Sequence, residues 1–406
     1  MANLSSTIIK TPTLFNNNMP SIYFDNSTTT RPSEKTVSKM LPFFYGRWGA
    51  PLAPHHLGQE LLPAIEESLN HIYKLLNIKK TDAFVFTSSG AEAVNHVFYS
   101  VYHDVTRLTG KNQFITSNIE EAPATMLINR LEDWTCVGRI LKANPSGYIS
   151  PEAVADAITP RTALVSLAWA NGLTGVINPI AEISAICQEK DVLLHIDATH
   201  VLGKLFFQLE DINPAFLTFN GDHLHAPKGT GGLYIKEGIK CSSFIVGGMD
   251  QGGKRAGTLN VPALVGLGEA SCEALEAQDL MCTEVARLRD LFETQITSSI
   301  PHTQIFFQDQ HRLPHISAIA FAGINNEALL FALNRKGVYA SMGGGNFQQL
   351  KLILMASARD EALASSTLSF SFCKDNSEDE VMHAVEIIKD CVLKLRKLSS
   401  HLYFHH

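Results

Sequence analysis

Short runs of β-branched and aromatic residues alternate along this chain with stretches of helical periodicity, and that alternation restricts the folds open to it. Positions 83–86, 113–116, 163–167, 192–196 and 216–219 read as buried strands. Helical patterns begin at Gly90, Glu121, Pro179 and Pro262. Strands interleaved with helices in this way form a mostly parallel sheet with helices packed on its faces, so the expected class is α/β. Ligands on such sheets bind beyond the C-terminal ends of the strands.

A long helical pattern over 262–299 is suited to linking two units, and the remainder carries short strands at 318–321 and 367–372 before a helix over 378–398. The expected organisation is therefore a polar, Asn-rich arm over 1–20 packing with the small domain, a large α/β domain over 21–262, and the linking helix with a small α+β domain over 263–406. A chain of 406 residues is long enough for this.

Charge narrows the partners. Lys and Arg number 33 against 40 Asp and Glu, and no long basic run occurs. Neither nucleic acid nor an anionic membrane is an expected partner. No stretch approaches about 18 uninterrupted apolar residues, so no membrane span is expected. The first 20 residues lack the apolar core of a secretory signal. Seven cysteines, odd in number and without C-x-x-C spacing, fit reduced thiols in a cytoplasmic protein. No metal site is expected.

Several segments carry polar chemistry at the ends of strands. Thr87-Ser88-Ser89-Gly90-Ala91-Glu92 lies between a strand and a helix. Small residues there let backbone N–H groups approach a phosphate, although a Ser-rich N-cap reads the same way. Asp197 ends an apolar strand, and a buried carboxylate requires a partner. Asn171, in Ala170-Asn171-Gly172-Leu173-Thr174-Gly175, fits a ligand contact and a turn residue equally well.

Four segments, in order, resemble the cysteine desulfurases (NifS-like) of the class V aminotransferase-like, fold-type I pyridoxal-phosphate proteins. Residues 23–32 read Y-F-D-N-S-T-T-T-R-P, similar to Y-x-D-x-x-A-T-T-x-P. Gly49-Ala50-Pro51 with His55, His56 and Gly58 is similar to G-N-P-S-S-x-H-x-x-G. Residues 195–204 resemble H-x-D-A-x-Q-x-x-G-K, and residues 255–258 resemble R-x-G-T. The resemblance implies a large domain with a mostly parallel seven-stranded sheet and a small α+β domain. It implies pyridoxal 5'-phosphate or pyridoxamine 5'-phosphate at a site bordered by Ser89, Gly90, Ala91, Asn171, Asp197, His200, Asn220 and Asp222. Asp197 falls at the carboxylate that meets the pyridine nitrogen, and His200 at a Gln that bonds the ring hydroxyl. Thr258 falls at a residue that reaches the phosphate of a second subunit, which implies a homodimer.

Departures from the family pattern cluster on the chemistry. Residues 219–229 read F-N-G-D-H-L-H-A-P-K-G, similar to the cofactor loop S-G-H-K-x-x-G-P-K-G. His223 stands at the lysine that forms the Schiff base, and an imidazole cannot make one. Glu121 stands at the His that stacks on the ring, Ala91 at a phosphate-binding Thr, and Asn346 at the nucleophilic Cys. No cysteine occurs between 282 and 373. The substrate-binding Arg falls near Ser369. The expectation is a protein that has lost desulfurase chemistry, holds any pyridoxal or pyridoxamine phosphate non-covalently, and acts through a partner in sulfur or iron-sulfur metabolism. Two alternatives stand beside it: a pyridoxamine-phosphate enzyme using His223 as base, and an active desulfurase with a substitute lysine such as Lys228 or Lys254.

Overall fold

The computed structural model describes residues 21–344 and 348–403. The expected arm over 1–20 and Asn346 lie outside the described residues.

Seven strands form the main sheet: β1 (Ala83–Thr87), β2 (Gln113–Ser117), β3 (Val137–Leu141), β4 (Thr162–Ala168), β5 (Leu193–Asp197), β6 (Phe216–Asn220) and β7 (Gly231–Ile235). Their spatial order is β1-β7-β6-β5-β4-β2-β3. β7 runs antiparallel to both of its neighbours, and the remaining pairs are parallel. β4 is buried along its whole length, Thr162 and Ser166 included, as a central parallel strand covered on both faces must be.

Two strands escape the sequence reading for physical reasons. β3 is an edge strand whose first four residues remain partly or fully exposed, so it needs no apolar run. β7 opens with two glycines, which are poor strand formers. A Cβ at Gly231 would lie 2.4 Å from the Ser89 carbonyl carbon, so close packing against the Ser89–Gly90 backbone dictates glycine there.

Helix α1 (Gly90–Val101) follows β1, α2 (Ala122–Arg130) follows β2, and α3 (Ile180–Glu189) leads into β5. Ser89 caps α1 by accepting the Glu92 N–H. The expected long helix is α4 (Val261–Glu276) and α5 (Ala286–Ser299), joined by short helical turns. Parallel register sets Ala168 beside Asp197, and Asp197 beside Thr218. The last residues of β2, β4, β5 and β6 thus open onto one rim.

Beyond α5, a three-stranded antiparallel sheet contains Thr303–Ile305, β8 (Ile316–Phe321) and β9 (Thr367–Ser371), covered by α6 (Glu378–Tyr403). Its core joins Phe24, Phe292, Phe370 and Phe372, with Phe24 and Phe372 ring centroids 4.6 Å apart. Each such ring contributes about 2–3 kcal/mol by burial. Residues 22 and 24, expected within the 21–262 unit, pack in this C-terminal core instead. The cause is parallel pairing of Ile22–Tyr23 with Val338–Tyr339. Among the described residues no helix is long and apolar enough to cross a membrane.

Candidate active site

Beyond the strand ends lies a cleft of about 890 Å³. Ser89–Ala91, Glu121, Asn171, Asp197, His200, Asn220 and His223 all line it, so most of the residues expected at the site come together. Asp222 is set back from the lining, and Thr258 is exposed on a loop outside the cleft of this single chain.

Asp197 sits at the floor. Its Oδ1 accepts the Thr199 N–H at 3.0 Å. Burial raises its pKa, the Thr199 bonds oppose the rise, and the charge of Glu121 adds to it. The carboxyl is thus placed to accept a proton or pair with a cation. Beside it, His200 Nε2 donates to Glu121 Oε1 at 3.1 Å. The His200 ring stands edge-on to His223, with centroids 4.9 Å apart. Gly172 leaves room for it, since a Cβ there would lie 2.3 Å from the imidazole. Glu121, at the ring-stacking position, is instead a hydrogen-bond partner of His200.

Asn171 resolves as a turn residue. Its Oδ1 accepts the N–H groups of Leu173 and Thr174, both at 3.0 Å, and its Nδ2 donates to the Ile119 carbonyl at 3.0 Å. Ser369 is buried in β9 and donates to the Leu173 carbonyl at 2.7 Å.

A tight turn, Gly221–His223, carries the residue at the lysine position. His223 is buried, and Lys204 Nζ donates to its carbonyl at 3.0 Å from the side away from the cleft. Its Nδ1 has no partner, and its Nε2 lies 3.9 Å from Asp222 Oδ1. Burial holds the imidazole well below its ordinary pKa, with His200 and Lys204 pushing the same way. It is therefore neutral near pH 7. Thr29 donates to Asp222 Oδ2 at 2.9 Å, while Asp222 Oδ1 is unpartnered.

Three contributors were not singled out as site residues in the sequence. Glu120 is buried, accepts the Ala168 N–H at 2.6 Å and the Ser117 hydroxyl at 2.5 Å, and is pushed up to about 8 by burial. Lys204 is pushed down to about 8 by burial. Thr29 anchors Asp222. Glu120 is hidden because burial is a tertiary property; Lys204 was visible only as the end of a longer motif.

The residues match the implied cofactor in part only. Asp197 beside His200 offers a pyridine ring an acceptor for its N–H and a polar neighbour for its hydroxyl. The anchoring half does not fit. Among the described residues no lysine or arginine lines the cleft; Lys228 is exposed and Lys254 lies elsewhere. Ala91 has no hydroxyl, Gly90 N–H is taken by Asn220 Oδ1 at 3.3 Å, and Glu120 and Glu121 add two carboxyl groups to the wall. A phosphate dianion requires donors and cations. Among the described residues, the cleft offers a ring a polar floor but lines the phosphate end with few donors and no cation.

Residues 22–383 match the family model described as aminotransferase class-V. A cysteine desulfurase of Gluconacetobacter diazotrophicus is 32% identical over 387 residues, covering 94% of this chain and 96% of its own length. The cysteine desulfurase NifS of Azotobacter vinelandii is 31% identical over 385 residues, covering 94% and 95%. Among solved structures, a NifS-like protein superposes with a TM-score of 0.86 at 27% identity, over 92% of this chain and all of the other. That fold is the fold-type I α/β architecture with its mostly parallel seven-stranded sheet. Matched in sequence and shape over nearly its whole length, the chain belongs to the class-V aminotransferase family, among the cysteine desulfurase or NifS-like proteins.

Proposed function

We propose that this protein is a desulfurase homologue that no longer extracts sulfur from cysteine. Its cleft binds a ring-bearing ligand reversibly, and it acts as a homodimer through a protein partner in cytoplasmic sulfur or iron-sulfur metabolism. The observation that carries the reading is the turn at His223: a buried neutral imidazole where an ε-amine is required, in a cleft that no lysine or arginine among the described residues lines. The loop after Val338–Tyr339 contains no thiol either. Losing both covalent groups removes two steps together, and such units do not lose activity gradually.

Exposed apolar side chains support self-association. Phe44, Tyr45, Trp48 and Leu52 follow one another along the chain, and Val246 and Met249 lie in the loop before Thr258. Runs of this kind on a monomer mark an interface.

In this reading Asp197 and His200 orient the bound ring, Asn171 and Gly172 hold the wall around His200, and Lys204 fixes the His223 turn from behind. Use of His223 as a base toward bound pyridoxamine phosphate draws on its unpartnered Nδ1. Burial nonetheless weakens it as a base. The decisive measurement is sulfide release from cysteine with added pyridoxal phosphate, followed by borohydride reduction and mass analysis. No sulfide and no reduced adduct are expected. Steady sulfide turnover, or an adduct on any one lysine, overturns the proposal.

A further inference from the structure

We propose that His225, Cys373 and Asp375 form a binding site for a thiophilic divalent cation of the zinc class, on the side of the His223 turn away from the cleft. One ligand atom from each of the three lies within 4.8 Å of the others. The donor set of imidazole nitrogen, sulfur and carboxylate oxygen suits Zn²⁺. A tetrahedral ion with bonds of about 2.0–2.3 Å holds its ligands about 3.3–3.8 Å apart, so closure takes a shift of about an ångström. The exposed Asp375 side chain is free to supply it.

His225 is set up as a ligand before any ion arrives. Its backbone is left-handed, with φ of 62°, a conformation that non-glycine residues adopt rarely and usually where the surroundings enforce it. Its N–H donates to Thr30 Oγ1 at 2.8 Å, and its carbonyl accepts the Ser33 N–H at 3.2 Å. Its Nδ1 donates to the Arg31 carbonyl at 2.8 Å. That last bond fixes the tautomer and leaves the Nε2 lone pair free, the arrangement that second-shell carbonyls give to metal-bound histidines.

Cys373 lies two residues beyond β9, and its N–H is held by Asn376 Oδ1 at 2.9 Å. Binding exchanges a proton for the ion: the S–H proton leaves to solvent, the sulfur lone pair forms the metal bond, and no electron is transferred. Asp375 is paired with Lys374 at 3.1 Å, an exposed contact that is weak beside a metal–thiolate bond. Three protein ligands leave a fourth position for water. His225 and Cys373 border a narrow pocket that Lys204, His223 and Glu273 also line. An ion here would tie the loop that follows His223 to the segment leading into α6. The site shares no ligand with the cleft, so its failure leaves the functional reading untouched.

The test is cobalt titration of chelator-treated full-length protein. One equivalent should bind with visible bands of tetrahedral cobalt and a near-ultraviolet thiolate-to-cobalt charge-transfer band, and zinc should displace it. Cys373→Ser should abolish the charge-transfer band, His225→Ala should weaken binding at least tenfold, and Cys272→Ser should change nothing. Circular dichroism checks that each variant is folded; if Cys373→Ser is not, His225→Ala decides. A saturating titration without a charge-transfer band, or a band that survives in folded Cys373→Ser, overturns the site.

Discussion

Around the end of β5, polar side chains are satisfied by the backbone beside them, whereas on the neighbouring turn two polar atoms have nothing to bond. Asp197 accepts from Thr199, Glu120 from Ala168, and Asn171 ties Ile119 to Leu173 and Thr174. On the turn, Asp222 Oδ1 and His223 Nδ1 are both buried without partners. A buried unpaired polar atom costs about 1–3 kcal/mol. The first region is a framework that the sheet holds in place whatever occupies the cleft. The second is where the family's covalent chemistry belongs, and its replacements are supported poorly by their surroundings. A site of this kind keeps its ring-shaped floor after losing its anchor, because the floor also organises the strand ends.

The sharpest way to break that comparison is to return the amine. His223→Lys places an ε-amine on a turn already fixed by Lys204 and Thr30. If the framework still positions a ring, this variant should become labelled at residue 223 after incubation with pyridoxal phosphate and borohydride, one label per chain against none in the parent. It should still release no sulfide, since the thiol remains absent. A folded variant that takes no label would show that the floor no longer orients the ring.

A smaller effect tests the framework from the other side. Gly172→Ala drives a methyl into His200, whose ring atoms would lie 2.3 Å from the new Cβ. Overpacking of this kind costs about 1–3 kcal/mol. The thermal midpoint should fall, and the His200–Glu121 pair should be disturbed before the fold is lost. An unchanged midpoint would mean that His200 moves freely and that the floor is less rigid than its contacts suggest.

Much of the framework was legible in the chain, and the turn only partly so. Buried parallel strands are rich in apolar residues, so β4 and β5 announced themselves, and a carboxylate ending β5 marked the floor. The edge strand β3 and the glycine-led β7 lacked that signal. At Asn171 the residue type admitted two roles, and only the positions of Ile119 and Thr174 decided between them. The change at His223 was visible because it interrupts a long ordered pattern. Its unpartnered nitrogen, and Lys204 behind it, depend on which groups the fold brings together. The same holds for His225 with Cys373 and Asp375, which share no spacing that a sequence scan would notice.

The least disruptive probe of the framework is Glu120→Gln, which keeps the shape of the side chain and removes its titration. Burial raises the Glu120 carboxyl to about 8, and the charges of Asp197 and Glu121 add to the rise. A raised carboxyl means that the folded state holds a proton that the unfolded chain gives up above its ordinary value of about 4.3. Stability from this group is fully present below that value and is lost as pH climbs through about 8. The loss within that window is bounded by about 1.4 kcal/mol per pH unit for one proton. Denaturant unfolding at intervals between pH 5 and pH 9 should therefore show the parent losing ground to Glu120→Gln as pH rises, and the gap should level off once the folded carboxyl has ionised. Parallel curves would mean that Glu120 is already ionised in the folded protein, with the Ala168 and Ser117 donors sufficient to hold its charge.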